Sequence, residues 1–217
     1  MNDARVLKQD LFGKVTLRPE DGETVIVRDT AAAHWSLRWL ARRLMRREAG
    51  VLACLEHIES VPRVVRLDRH SLTRTFIVGA PMHVAKPTDP AWFNAAASLL
   101  RQLHRAGVVH NDLAKEPNIL VRDDGQPAFV DFQIAWYSRR RGRLFRIAGR
   151  EDIRHLLKHK RTYCADHLTQ RERAILANPS PLSRLWMGTF KPVYLLVTRK
   201  WLGWADREGA SDRGASG

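Results

Sequence analysis

The sequence predicts an α+β fold in which a small β-rich N-terminal lobe with one long helix precedes a mostly helical lobe. Three observations support this prediction. Residues 11–17 and 23–28 have the composition of strands and flank a turn at 19–22 that contains Pro and Gly. Residues 35–57 carry apolar side chains at helical spacing. Residues 79–90 are rich in turn residues and mark the boundary between the two lobes.

The remaining elements follow from the same signals. Segments 64–68 and 73–78 are further strand candidates. Asp89 and Pro90 form the start of a helix that ends at about Ala106, before Gly107. Short strands are expected at 119–121 and 128–131, with further helices to about Trp204. We therefore expect an N-terminal nucleotide-binding lobe at 1–80, a catalytic lobe at 81–204 and a disordered tail at 205–217.

Composition limits the class of protein. The 217 residues are 44% hydrophobic, which is enough for a core, and carry a formal net charge of +14. Two cysteines without CxxC spacing exclude a disulfide framework and a four-cysteine zinc site. The charged N-terminus lacks the apolar run of a secretory signal, and no stretch approaches the ~18 apolar residues of a spanning helix. These features predict a cytoplasmic protein.

The positive charge is concentrated in two stretches. Residues 138–161 contain ten Lys or Arg and two acids, and residues 35–47 contain five Arg and no acid. Such clustering is typical either of solvated helix surfaces or of a face that meets phosphate groups or an anionic membrane. We favour the second interpretation for the whole set. No recognition motif indicates specific nucleic-acid binding.

The strongest chemical signal lies in residues 108–133. A two-residue turn at Asp124-Gly125 would place Asn118 opposite Asp131 across a hairpin, with Cβ atoms about 5 Å apart. Oxygen atoms at that separation suit Mg²⁺, which takes few protein ligands together with substrate phosphates. Asp112 lies just before the hairpin, where it can approach a hydroxyl. Asp112 and Asp131 are embedded in apolar sequence, where an unpaired carboxylate is costly.

These residues carry a family resemblance. The segment HNDLAKEPN resembles the H-x-D-x-x-x-x-N catalytic loop of the protein-kinase-like superfamily, and VDFQ resembles its D-F-G strand. The match is most similar to the atypical bacterial branch of RIO-like kinases and of lipopolysaccharide kinases that phosphorylate Kdo or heptose. The resemblance covers roughly residues 10–165 and implies a bilobal kinase-like fold that uses ATP and Mg²⁺.

The resemblance also implies roles for single residues. It makes Asp112 the catalytic base and makes Asn118 and Asp131 the metal ligands. His110 would support the loop structurally, and Lys115 would reach the transferred phosphate. Asp112 and Asn118 are six positions apart, one more than usual, so the register of Lys115 within the loop is open.

The N-terminal half departs from the family pattern. Glu48 lies on the apolar stripe of the long helix and suits the carboxylate that orients the phosphate-binding cation. Arg28 occupies the position where the family usually has Lys, and the two cations are not equivalent. Three interpretations of Arg28 are open. It pairs with Glu48 and phosphate, it marks a weakened catalyst, or it is an exposed residue at a strand end. The glycine-rich phosphate loop is reduced to Gly13.

Two later features have open interpretations. Asp152 either braces the catalytic loop, as an acid of the second lobe does in the family, or stabilises a helix N-terminus. Residues 184–204 interleave five aromatic side chains with four cations. That pattern fits a helix packed on the second lobe, which we favour, or a membrane interface.

The leading functional hypothesis is a Mg-ATP-dependent phosphotransferase acting on a hydroxyl of an envelope glycolipid or its sugar. No A-P-E motif follows Asp131, and a basic stretch begins within eight residues, which leaves little room for a peptide-docking segment. The alternatives are an atypical RIO-like serine/threonine protein kinase and a pseudokinase that binds nucleotide as a scaffold. The expected partners are ATP, a glycolipid or protein acceptor, and an anionic membrane surface on the cytoplasmic side.

Overall fold

A five-stranded antiparallel sheet forms the N-terminal part of the computed structural model, which describes residues 4–178. The strands lie in the order β1-β2-β3-β5-β4. They are β1 (Arg5–Asp10), β2 (Gly13–Glu20), β3 (Glu23–Asp29), β4 (Val64–Leu67) and β5 (Ser71–Thr75). The predicted strands and the turn between β2 and β3 are confirmed. That turn is tight because Asp21 and Gly22 both have positive φ, the geometry that matches the twist of a two-residue hairpin.

Strand β1 was not predicted. Its sequence, RVLKQD, is largely polar, and its residues are exposed or partly exposed at the edge of the sheet. Such a strand lacks a buried face, so it leaves no alternating hydrophobic pattern in the sequence. Its pairing with β2 places Gly13 at the start of β2, directly after the connecting turn.

Helix α1 (Arg38–Ala53) connects β3 to β4 and packs against the sheet. It is shorter than the predicted segment 35–57. Its apolar stripe is buried, and Met45 and Ala49 form a small core with Leu72 of β5. Glu48 lies on the same stripe and is 0% exposed. A buried carboxylate in an apolar layer is costly unless it has a charged partner.

The second part of the chain is mostly helical. The short helix α2 (Met82–Ala85) is followed by α3 (Pro90–Arg105), α4 (Arg143–Tyr163) and α5 (Gln170–Ala177). The predicted start of α3 is confirmed, because Asp89 accepts a hydrogen bond from the backbone N–H of Ala91 at 2.7 Å. Gly107 follows the helix with φ +82° and lets the chain turn into the next strand.

Five short strands connect these helices. They are β6 (Ala80–Pro81), β7 (Val108–Val109), β8 (Ile119–Val121), β9 (Pro127–Phe129) and β10 (Trp136–Tyr137). Strands β6, β8 and β9 form one sheet, and β7 pairs with β10. The main hydrophobic core lies beneath them and is built largely from α3, with Phe129 and Phe132 from the second hairpin strand and its continuation.

The described residues up to Ala177 form one compact unit. None of the helices within residues 4–178 is both long enough and apolar enough to cross a bilayer. The aromatic and basic segment 184–204 and the tail 205–217, for which we predicted a helix or interface and disorder, lie outside the described residues.

Candidate active site

The loop between β7 and β8 brings three of the predicted site residues into direct contact. The side-chain amide of Asn118 donates to Asp112 Oδ2 at 2.9 Å and to the Asp112 carbonyl oxygen at 3.0 Å. Lys115 Nζ lies 3.1 Å from the same Oδ2. Asp112 is partly buried and Lys115 is exposed. The carboxylate is therefore the more buried of the two groups, and the ammonium lies nearer to solvent.

His110 supports this loop from below. Its ring is 0% exposed and lies against Phe132, with 4.6 Å between ring centroids. Its Nε2 is 3.0 Å from the Val130 carbonyl oxygen, and its Nδ1 accepts from the Asp112 backbone N–H at 3.3 Å. These contacts assign the proton to Nε2. Burial lowers the pKa of His110, which agrees with a neutral ring, and the predicted structural role is confirmed.

Asp152 braces the same loop from α4. It is 1% exposed, and its two carboxylate oxygens accept from the backbone N–H of His110 at 2.7 Å and of Asn111 at 2.9 Å. His104 Nε2 lies 3.3 Å from Oδ2. The alternative interpretation, an acid at a helix N-terminus, is wrong, because α4 begins at Arg143 and Asp152 lies in its interior. The carboxylate thus fixes the turn where Asn111 adopts φ +64°.

The C-terminal half of α4 holds the other end of the loop. His159 Nε2 is 2.8 Å from the Leu113 carbonyl oxygen, and the Tyr163 hydroxyl donates to Glu116 Oε2 at 2.8 Å. Burial and the adjacent Glu116 carboxylate raise the pKa of Tyr163 to about 12, so the hydroxyl keeps its proton for this bond. The sequence analysis missed these contacts, since a 3.6-residue period shows which face of α4 is apolar but not which polar residue it meets.

Asp131 reaches the site by a different geometry from the one predicted. The hairpin pairs Ile119 with Phe129, so its register differs by one residue from the predicted pairing of Asn118 with Asp131. The Val130 N–H donates to the Asn118 carbonyl oxygen at 3.0 Å instead. The cause is a three-residue loop at 123–125, in which Gly125 takes φ +76° in place of a two-residue turn.

Asp131 follows the strand in a left-handed conformation, with φ +64°. Aspartate tolerates this conformation better than most residues, and such strain is concentrated at functional sites. Val130, the residue before it, is hydrogen-bonded to both Asn118 and His110. The structure therefore anchors Asp131 next to the loop through its backbone.

The residues present fit a hard divalent cation. Asp131 Oδ1 is buried and has no hydrogen-bond partner among the described residues. The amide nitrogen of Asn118 is committed to Asp112, which leaves its oxygen as the atom for a ligand. Residues 4–178 contain no cluster of three or more His, Cys, Asp or Glu side chains at metal-binding spacing. Two protein oxygens are what Mg²⁺ takes when substrate phosphates supply other ligands.

A second group of charges lies on the sheet side. Arg28 of β3 places Nε 3.6 Å from Glu48 Oε2, and Arg74 of β5 places Nε 3.4 Å from Glu48 Oε1. All three side chains are mostly buried. The predicted contact between Arg28 and Glu48 is thus present, and the interpretation of Arg28 as an exposed strand-end residue is wrong. Arg74 was missed, because a cation within the strand SLTRT gives no sequence signal for the side it faces.

Side chains of β3 and of α1 both contact the segment after Asp131. The Arg28 guanidinium contacts the side-chain amide of Gln133, the residue that stands where the D-F-G pattern has glycine. Arg47 of α1 donates to the Ala135 carbonyl oxygen at 2.7 Å and to that of Ile134 at 3.3 Å. Both contacts join the N-terminal sheet and helix to the chain that leaves the candidate metal site.

Gly13 lies in the β1–β2 hairpin, at the start of β2. Its φ is +125°, and a Cβ at this position would lie 2.2 Å from the Asp29 carbonyl oxygen. Glycine is therefore required here by the close approach of backbone from β3. The described contacts give Gly13 a role in sheet packing.

Comparisons with known proteins agree with the fold. No family model matches the sequence, and no curated protein matches it. A crystal structure of the Rio2 kinase from Chaetomium thermophilum is similar, with a TM-score of 0.61 and 14% identity over 81% of this chain. A structure of its complex with ADP, Mg²⁺ and phosphoaspartate has a TM-score of 0.59 and 13% identity over 87% of this chain.

The present chain spans 62% and 66% of the lengths of those two chains. At this level of identity the likeness concerns the fold. The chain therefore has a protein-kinase-like α+β fold.

Proposed function

We propose that this protein is a Mg-ATP-dependent phosphotransferase that moves the γ-phosphate of ATP to a hydroxyl. The observation that carries the proposal is the contact of Asp112 with Asn118 and Lys115 next to the buried, unpartnered oxygen of Asp131. Phosphoryl transfer needs a carboxylate at the attacking oxygen, metal ligands and cations at the phosphates. The similarity to a kinase structure with ADP and Mg²⁺ supports the same chemistry.

Each residue has a part in the proposed reaction. Asp112 accepts the proton of the acceptor hydroxyl as the new oxygen–phosphorus bond forms and the bond to the β-phosphate oxygen breaks. Asn118 and Asp131 would hold Mg²⁺, which neutralises charge on the phosphates when bound. Lys115, beside Asp112, favours the developing charge on the transferred group.

The nucleotide would be held from the sheet side. Arg28, oriented by Glu48, is placed on the strand that provides the phosphate-binding cation in this fold, and Gly13 lies in the hairpin above it. We assign residues 1–80 to a nucleotide-binding lobe and 81–204 to a catalytic lobe, with 205–217 as a tail.

The proposed acceptor is a core sugar of lipopolysaccharide or a similar envelope glycolipid. Only 11 residues separate Asp131 from α4, which begins at Arg143, and two of them form β10. This segment is short for docking a peptide, and it is rich in arginine, which suits an anionic sugar or lipid phosphate. The location that goes with this acceptor is the cytoplasm, in contact with the inner face of the membrane.

A second candidate, a pseudokinase that binds nucleotide without turnover, is favoured by one observation. Arg28 is engaged by Gln133 and Glu48 together, so a phosphate must compete with an amide for the guanidinium. A scaffold of this kind would gain stability from Mg-ATP and form no product.

The test is phosphate transfer from γ-labelled ATP. The full chain is incubated with Mg²⁺ and core-oligosaccharide acceptors, and in parallel with a protein extract. We expect labelled oligosaccharide with the native chain and none with Asp112→Asn, while Asp123→Asn in the exposed hairpin loop serves as the matched control. Labelled protein without labelled sugar would select the RIO-like protein kinase. Stabilisation by Mg-ATP without any labelled product would select the pseudokinase.

A further inference from the structure

Two exposed tryptophans lie at the N-terminal end of α1. Trp39 is in the first turn of the helix and is 63% exposed, and Trp35 is in the turn that precedes the helix and is 78% exposed. Large indole rings are rarely left in water to this degree, and a pair of them makes a patch that is apolar at its centre. The patch lies on the side of α1 opposite to Glu48, so it takes no part in the candidate active site.

Arginines continue the same face of the helix. Arg43 and Arg46 are four and seven residues beyond Trp39, which places the three side chains on one stripe, and both arginines are exposed. Residues 35–47 contain no acid, and the next acid, Glu48, faces the core. Burial and then the neighbouring Arg42, Arg69 and Arg38 lower the pKa of His70, which shows the positive potential at this end of the helix.

A second exposed basic segment lies against α1. The hydrogen bonds of Arg47 to the carbonyl oxygens of Ile134 and Ala135 bring the segment after Asp131 against α1. That segment exposes further apolar and basic side chains. They are Ile134, Tyr137, Arg139, Arg140, Arg143 and Leu144. The start of the second basic stretch therefore lies near α1.

We propose that the outer face of α1, with Trp39, Arg43 and Arg46, forms a docking surface for an anionic lipid bilayer together with Trp35 of the preceding turn. Indole rings prefer the headgroup level of a membrane, and arginines beside them pair with lipid phosphates. The face is convex and belongs to one helix, whereas a nucleic-acid strand is normally held in a groove with spaced stacking rings. Docking here would hold the arginine-rich segment after Asp131 at the membrane surface. The proposal deepens the proposed function by bringing a lipid-borne acceptor to the site, but the binding itself does not require catalysis.

The test is flotation of the full chain with vesicles in the absence of nucleotide. Phosphatidylcholine vesicles are compared with vesicles that also contain phosphatidylglycerol. We expect binding to the anionic vesicles and little to the neutral ones. The double variant Arg43→Gln, Arg46→Gln should bind about 25-fold more weakly, since each arginine near an anionic leaflet contributes about fivefold. The double variant Trp35→Ala, Trp39→Ala should bind roughly tenfold more weakly.

A matched control removes the same charge elsewhere. Arg101 and Arg105 are exposed on α3, and the variant Arg101→Gln, Arg105→Gln should bind nearly as the native chain does. The proposal is overturned if this control loses as much binding as the Arg43 and Arg46 variant, or if the tryptophan variant binds like the native chain. The proposal is also overturned if RNA competes with the vesicles for the native chain and competes equally well for the tryptophan variant. ATP hydrolysis without vesicles should be unchanged in the tryptophan variant. Vesicle binding therefore tests the docking surface, and ATP hydrolysis tests the catalytic proposal separately.

Discussion

The Asn118 side-chain amide donates to the carboxylate of Asp112 at 2.9 Å, across the five residues of the loop that separate them. A second bond, to the Asp112 carbonyl oxygen at 3.0 Å, uses the same nitrogen. Asn118 is buried, while Asp112 is only partly so. The asparagine therefore fixes the orientation of the carboxylate and presents its own oxygen to the opposite side.

Replacing Asn118 tests this relationship. Asn118→Leu keeps a similar volume but removes both hydrogen bonds, so the unfolding free energy should fall by about 1–3 kcal/mol. Phosphate transfer should fall further than stability explains, because the variant loses both the orientation of Asp112 and one of the two proposed Mg²⁺ ligands. Denaturant unfolding and single-turnover transfer measure the two effects. A variant that transfers phosphate at the native rate would show that the asparagine is dispensable.

The brace at Asp152 predicts a larger structural effect. Asp152→Ala leaves the buried N–H of His110 and the partly buried N–H of Asn111 without acceptors, at about 1–3 kcal/mol for the buried group. The exposed Asp166→Ala provides the control at another acid of the same part of the chain. The two variants are compared by urea unfolding. Equal midpoints for both would contradict the bracing role.

The two arginines on Glu48 predict non-additive energetics. Either arginine alone still pairs the buried carboxylate, and loss of one also removes repulsion between the two cations. We expect Arg28→Met and Arg74→Met each to lower the unfolding free energy by less than half of the loss seen in the double variant. Only the double variant leaves the buried carboxylate unpaired. A double-mutant cycle on the unfolding free energy measures this, and strict additivity would indicate that the two contacts are independent.

The neutral His110 ring predicts a loss of stability in acid. Its pKa in the folded chain is lowered from 6.5 by burial, so the unfolded chain binds the proton first as the pH falls. Stability from this group is therefore fully present above about pH 6.5 and declines as the pH falls through that value toward the folded pKa. His110→Gln should be less stable at neutral pH but should show a shallower decline between these limits. An unchanged slope would mean that other groups cause the acid sensitivity.

The sequence was sufficient for the strands β2 to β5, for α1 and α3 and for the loop residues of the candidate site, but not for β1. Strong periodicity located α1 and α3, and the loop motif located Asp112, Lys115 and Asn118. The predicted hairpin register was wrong because Asp123-Asp124-Gly125 can form a two-residue or a three-residue turn, and a positive φ at Gly125 is compatible with both. Because the loop is one residue longer than predicted, every residue pair across the hairpin is shifted by one position from the predicted register.

Other residues could not be found from the sequence. Arg74 lies in a strand whose two faces are both buried, so alternation gives no direction for its side chain. Arg47 acts through backbone carbonyl oxygens of a segment 87 and 88 positions away, a contact that only the tertiary structure creates. The role of Asp152 was open for the same reason, since its partners are N–H groups 41 and 42 positions earlier in the chain.

The central claim is that Asp131 and Asn118 hold the magnesium ion of a bound nucleotide, and thermal unfolding with ATP, with and without Mg²⁺, tests it most directly. The native chain should be stabilised by ATP with Mg²⁺ more than by ATP alone. In Asp131→Asn the extra stabilisation by Mg²⁺ should disappear, while Asp124→Asn, in the exposed hairpin loop, should retain it. Equal Mg²⁺-dependent stabilisation of the native chain and of Asp131→Asn would contradict the account.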